Sequence, residues 1–180
     1  MDKACAQRRL SGTGLVGCSI EDATGDADNP LYDIDTATAR VAASADAARS
    51  VGFAFTLTAR TESFLRGNPD LDNVIARLRA YEAAGADVLM APGLPDLDAV
   101  KAVCAAVSKP VNFMAGVPGK SFPVADLAAA GVRRISLATS LYRAAMSGLF
   151  AAATEAKDNG TFAYVDTSIP TPELSGYMRE

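Results

Sequence analysis

The 180-residue chain contains no histidine. Ser-His-Asp and Cys-His nucleophiles, His-ligated zinc and imidazole proton shuttles are therefore excluded. Any catalysis must run on Asp, Glu, Arg, Lys, Tyr, Ser, Thr or Cys, and any metal must be held mostly by oxygen. Cysteine is scarce. Cys5, Cys18 and Cys104 are odd in number, far apart and without a Cys-x-x-Cys pair, which predicts reduced thiols in a cytoplasmic protein rather than a disulfide framework. Aromatic residues make up 7%, no basic run occurs, and 17 Lys and Arg face 21 Asp and Glu, so a nucleic-acid backbone is not the expected partner. No segment approaches the ~20 apolar residues needed to cross a membrane, and the opening MDKACAQRRL lacks the apolar stretch of a signal peptide. Nor does a Gly-x-Gly-x-x-Gly or Walker-type loop follow any apolar run, which removes the nucleotide-binding signature.

With 49% hydrophobic residues the chain has ample material for a core. Short apolar runs recur at 15–20, 53–58, 87–91, 111–115 and 133–138, near-continuous rather than alternating, as in parallel strands covered on both faces. Gly52, Gly85 and Gly131 lie just upstream of three of them, where a preceding helix would end. Between the runs lie helical stripes. Leu71, Val74, Ile75, Leu78 and Tyr81 share one face of a segment capped by Asp70, with Arg77, Arg79 and Glu82 expected to point elsewhere. Leu97, Val100, Val103, Cys104 and Val107 form a second stripe, Asp35 is placed to cap a helix running to about Ser50, and 140–157 is an alanine-rich helix. Alternating strand and helix means an α/β fold with a parallel sheet, either doubly wound or a (βα) barrel of TIM type. Polar residues at the carboxyl ends of several strands favour the barrel. Residues 3–10 read as a helix tail, and the segment from Thr161 onward as an extended arm closing with a short helix. The expected division is a partial barrel over 1–160 and an arm over 161–180.

In both architectures ligands sit at the carboxyl ends of the strands. Those ends carry Glu21-Asp22, Arg60-Thr61-Glu62, Pro92-Gly93, Asn112 and Thr139-Ser140. Glu21 and Asp22 could hold Mg²⁺ directly or through water, and Arg60 offers a planar fork for a carboxylate or phosphate. The alternative is that Glu21 and Arg60 pair with each other across adjacent strands, while Asp22 and Glu62 cap loops. Asn112, inside an apolar run, needs a hydrogen-bond partner if buried. The loop over 22–32 has the composition of a lid. Its DADN resembles the start of an EF-hand but lacks the later Gly and Glu. Lys120, Ser140 and Tyr142 have no adjacent base, and Cys18 reads as a packed core residue.

The segments CSIEDATGD, LTARTESFLRG, IARLRAYEAAGADVLMAPGL, KPVNFMAG and LAAAGVRRISLATSLYRAA, in that order, resemble the isocitrate lyase and phosphoenolpyruvate mutase superfamily over about residues 7–165. The resemblance implies strands four to eight of a (βα)8 barrel. It also implies Mg²⁺ (or Mn²⁺) as cofactor and a small carboxylate or phosphonate substrate that reacts through an enolate. By the same resemblance Glu21 supports the metal through water, with Asp22 as a weaker ligand. Arg60 binds the substrate's carboxylate or phosphonate, Asn112 contacts the substrate, and Gly17 and Cys18 border it. Three departures accompany it. No Asp-x-Asp strand precedes Leu15, the lyases' Lys-Lys-Cys-Gly-His lid is replaced by Thr24-Gly25-Asp26-Ala27-Asp28, and the usual Ser-Leu-Gly reads Ser136-Leu137-Ala138. The expectation is a Mg²⁺-dependent lyase or phosphonomutase-like enzyme acting on an α-oxoacid of the phosphonopyruvate, oxaloacetate or methylisocitrate type. The alternative is a truncated, non-catalytic homologue that serves as an oligomerising or binding domain. A half barrel exposes two sheet edges, so a homo-oligomer is expected.

Overall fold

A computed structural model describes residues 14–178; Cys5 and the expected helix tail at 3–10 lie outside them. The chain divides into two compact units, the first ending at Ala138 and the second beginning at Thr139, ahead of the boundary expected at 160.

In the first unit all five apolar runs form strands: β1 (Gly17–Glu21), β2 (Thr56–Arg60), β3 (Val88–Met90), β4 (Val111–Met114) and β5 (Arg134–Ser136). They make one parallel sheet in the order β1-β2-β3-β4-β5. A doubly wound sheet reverses its strand order at a switch point. This sheet never does, so the barrel reading holds: strand follows strand as in a partial (βα) barrel. Helices α1 (Ile34–Arg49), α2 (Leu71–Ala83), α3 (Leu97–Ala106) and α4 (Val124–Ala129) connect the strands. Gly85 and Gly131, at φ +100° and +101°, terminate α2 and α4 as their spacing predicts.

The strands are not covered equally on both faces. Leu57, Ala59, Leu89, Val111 and Phe113 are buried, in one core with Val41 of α1, Leu78 of α2, Val100 of α3 and Leu127 of α4. The alternate residues Ser19, Thr56 and Arg134 are exposed on the opposite, concave face. Cys18 is exposed as well, against the expectation of a packed core thiol; it lies on β1, an edge strand of the sheet among the described residues.

Two local expectations change. Asp70 caps α2 by accepting from the Asp72 and Asn73 amides, as expected. The cap of α1, however, is Asp33 and not Asp35: its Oδ1 accepts from the Thr36 amide at 2.8 Å and its Oδ2 from the Thr36 hydroxyl at 2.7 Å. Arg77 does not point away from the core but is buried. Its Nη1 donates to Asp22 Oδ2 at 3.1 Å and to the Tyr32 carbonyl at 2.9 Å, while Nε donates to Asn73 Oδ1 at 2.9 Å. Tyr81 donates to the same Asp22 oxygen at 2.7 Å, and Asp22 Oδ1 accepts from the Glu62 amide at 2.8 Å. One carboxylate thus joins the end of β1, the loop after β2 and α2. Burial first, and then the Asp22 charge, push the Tyr81 phenol far above its ordinary range.

The 22–32 loop is tied to itself. Ala23 and Leu31 form an antiparallel bridge, the Thr24 amide donates to the Pro30 carbonyl at 3.1 Å, and the Tyr32 amide returns to the Asp22 carbonyl at 2.9 Å. At the other end of the unit, Ala138 adopts φ +48°, the one non-glycine residue in the left-handed region among those described. This is the position at which the resembling family carries glycine, and the conformation strains an alanine.

The second unit comprises α5 (Ser140–Thr154), a wide π-turn over Glu155–Asn159, a 3₁₀ turn over Ala163–Thr167 and α6 (Thr171–Gly176). Glu155 Oε1 caps its bend by accepting from the Thr161 hydroxyl at 2.8 Å and from the Ala163 amide. Neither helix has a buried residue; Leu141, Phe150, Phe162 and Tyr177 are among the large apolar side chains left exposed.

Asp33→Ala is expected to lower the melting temperature of the chain and Asp35→Ala to leave it unchanged. Thr36 holds the Asp33 carboxyl below the ordinary carboxylate range. Its contribution is therefore complete above about pH 3.9 and disappears as pH falls through the lower folded value, so the difference between Asp33→Ala and wild type should vanish in acid. In urea denaturation, Arg77→Met should cost about 3–5 kcal/mol because it strands a buried carboxylate. Tyr81→Phe should cost about 1–3 kcal/mol, the loss of one donor. Ala138→Gly should raise stability by up to about 1 kcal/mol in the same measurement, since the strain relieved exceeds the entropy glycine loses.

Candidate functional site

The register of the sheet sets the site. Glu21 pairs with Arg60, Arg60 with Met90, Met90 with Asn112 and Asn112 with Arg134. Paired residues of a parallel sheet present their side chains to the same face. The row Glu21–Arg60–Met90–Asn112–Arg134 therefore crosses all strands on the concave side, and Arg60, Met90, Asn112 and Arg134 border a cavity of about 610 Å³.

Arg60 is the centre of the row. Its side chain is 19% exposed and lies between two carboxylates. Glu62 accepts directly from Arg60 Nε, while Glu21 Oε1 stands 3.6 Å from Nη1. The two acids differ in setting. Glu62 is buried, its amide is held by Asp22, and its second oxygen faces Arg66 Nε at 3.6 Å. The Glu21 side chain is 42% exposed.

Asn112 is buried, and its Nδ2 donates to Ser136 Oγ at 2.9 Å and approaches Met90 Sδ at 3.2 Å. The Ser136 hydroxyl donates back to Asn112 Oδ1 at 3.1 Å. The amide that an apolar run cannot leave unpaired thus finds a neighbouring side chain, and that side chain also lines the cavity.

Other expected site residues fall elsewhere. Both oxygens of Asp22 are engaged by the Glu62 amide, Arg77 and Tyr81, so its carboxylate has a structural occupation. Gly17 faces the cavity where β1 approaches β2 most closely; a Cβ there would meet the Thr56 carbonyl oxygen at 2.8 Å. Cys18 borders the cavity but pairs in register with Leu57, whose side chain lies under the helices, and partial desolvation raises its thiol pKa. Lys120 donates to the Gly93 carbonyl at 3.1 Å, tying two loops together. Arg134 and Ser136 are among the cavity residues that escaped the sequence reading. The signal was their alternation within Arg133-Arg134-Ile135-Ser136, which a near-continuous apolar reading overlooks.

The described residues do not by themselves make a magnesium site. No group of three or more Cys, Asp and Glu side chains converges among them. Asp22 is saturated by donors, and the remaining candidate, Glu21, faces a guanidinium. What the row can do is hold an anion: a guanidinium with a fixed Nε, a buried amide–hydroxyl pair and a second arginine share one concave surface.

The comparisons agree with this architecture. Residues 3–157 match the family model of phosphoenolpyruvate phosphomutase. A candidate lyase/mutase from Burkholderia cenocepacia J2315 is 46% identical with a TM-score of 0.92, over 97% of this chain and 63% of that one. The oxaloacetate decarboxylase of Paraburkholderia xenovorans is 32% identical over 78% of this chain and 47% of its own length. A phosphonopyruvate hydrolase solved with oxalate and Mg²⁺ shares the fold at 22% identity and a TM-score of 0.73. The chain thus spans about half the length of the curated relatives it matches. Strand order, the Ile-Glu-Asp, Ala-Arg-Thr and Pro-Val-Asn strand ends and the family match lead to one conclusion: the chain belongs to the phosphoenolpyruvate phosphomutase family.

Proposed function

We propose that the concave row recognises the carboxylate or phosphonate of a small α-oxoacid in a lyase or phosphonomutase-type reaction, with Arg60 as the anion-binding residue and Asn112 as a second substrate contact. The observation that carries this reading is the register line joining Arg60, Met90 and Asn112 on one cavity wall, with Glu21 beside Arg60 at its end. Arg60 gives an anion two parallel N–H donors and a positive charge. Because Glu62 accepts from Nε, the guanidinium cannot rotate freely, and its Nη groups remain for the ligand. Asn112 and Ser136 supply a neutral donor and acceptor pair for a carbonyl or hydroxyl oxygen.

The full reaction of the family passes through an enolate, and a divalent cation (Mg²⁺ or Mn²⁺) is part of the proposal only with ligands from beyond the described residues. Of those described, Glu21 would face it. A binding domain without catalysis is the second reading, favoured by the saturation of Asp22 and the pairing of Glu21 with Arg60. Self-association belongs to either reading and is supported by the apolar side chains exposed on the second unit and by the edges of the sheet. A cytoplasmic setting is supported by the free thiols of Cys18 and Cys104 and by the lack, among the described residues, of a helix long and apolar enough to span a membrane.

Oxalate, a planar mimic of the pyruvate enolate, is the probe. Calorimetric titration of the full chain should show binding that Arg60→Ala abolishes and Asn112→Ala weakens about ten- to a hundredfold, as expected when one hydrogen bond to an ionic group is lost. Unchanged affinity in Arg60→Ala would overturn the reading.

A further inference from the structure

Arg60 holds two carboxylates that are not equivalent. Glu62 is fixed: its side chain is 3% exposed, it accepts a hydrogen bond from Nε, its amide is anchored at 2.8 Å by Asp22, and its second oxygen faces Arg66. Glu21 is not fixed. It sits at 3.6 Å from Nη1, beyond hydrogen-bond distance, with 42% of its side chain exposed. Among the described residues it is held there by charge and strand register, as the β1 partner of Arg60.

We propose that Glu21 is a displaceable internal counter-ion, occupying the side of Arg60 that a substrate anion must take, whereas Glu62 is its permanent orienting partner. The proposal rests on the reading of Arg60 as the anion-binding residue and refines its specificity. A ligand wins the Nη groups only by outcompeting a carboxylate already close to them. Compact dianions and bidentate ligands, such as oxalate, a phosphonate or an α-oxo-dicarboxylate, meet that condition; a simple monoanion such as acetate does not. Glu21 thus works as an internal filter. Its exposed side chain has room to swing toward solvent and regain hydration when evicted, which keeps the penalty of eviction moderate. Glu62 has no such route, because its carboxylate is buried among Arg60, Arg66 and the loop that Asp22 anchors.

The test is calorimetry of the full chain with oxalate and with acetate, in the presence of a chelator, on wild type, Glu21→Gln, Glu62→Gln, Arg60→Ala and the double variant Glu21→Gln/Arg60→Ala. Both Gln variants remove one negative charge beside Arg60 and preserve side-chain shape, so they control for a general electrostatic effect. Melting curves confirm that each variant is folded. Glu21→Gln is expected to bind oxalate about fivefold more tightly than wild type, the scale of one half-exposed ion pair, and to acquire acetate binding. Glu62→Gln is expected to show no gain for either ligand. Equal affinities in wild type and Glu21→Gln, with binding still lost in Arg60→Ala, would remove the counter-ion role and leave the anion site intact. Equal gains in the two Gln variants would reduce the effect to net charge and likewise overturn the proposal. Binding that survives Arg60→Ala in both backgrounds, or no binding by any of the proteins, would remove the anion site itself and the counter-ion with it.

Discussion

The carboxylate of Asp22 is hydrogen-bonded from three directions: by the Glu62 amide, by Arg77 and by the Tyr81 hydroxyl. These donors come from the loop after β2 and from α2, while Asp22 itself continues β1. A buried acid is tolerable only when its charge is matched and its lone pairs are filled, and this one meets both conditions. Because the partners are distant in sequence, the contact can form only when strand, loop and helix are all in place. The geometry of the cavity wall depends on it. The Glu62 amide is a point of attachment, and the Glu62 side chain in turn holds Arg60 Nε.

That chain of contacts explains why an acidic motif of two adjacent residues divides its labour. Successive residues at a strand end point in opposite directions. Glu21 lies on the concave side beside Arg60; Asp22 turns into the layer between sheet and helices and meets Arg77. One residue belongs to the ligand surface and its neighbour to the framework beneath it, although both are carboxylates at the end of the same strand. The same framework extends along the outer layer, where Glu82 Oε1 accepts from the Ser108 amide and hydroxyl and from the Lys109 amide, fastening α2 to the segment that leads into β4. Those bonds hold its carboxyl below the ordinary range.

Family membership and site chemistry are separate inferences. A barrel scaffold hosts many reactions, and the reaction is set by the loops and strand ends. In this chain the strand ends carry an arginine whose charge is partly neutralised from within, by Glu21 and Glu62.

The sequence by itself determined the strand count, the helix between each pair of strands, the cap at Asp70 and the strand-end residues Glu21, Arg60 and Asn112, because apolar runs, turn glycines and strand-end charges are local signals. It could not determine the direction of Arg77. A helical period separates an apolar stripe from a polar one, but the partner that draws this arginine inward lies in a loop far up the chain. Asp33 and Asp35 both suit a cap, and only the backbone at Asp33 directs a carboxylate onto the Thr36 amide. Cys18 looked like core because its neighbours are apolar, and its exposure follows from β1 lying at an edge of the sheet. Arg134 joined the site only through register, since pairing with Asn112 is a property of two strands and not of either sequence. Local chemistry chose the elements; burial and register, which join residues far apart in the chain, chose what each charged side chain does.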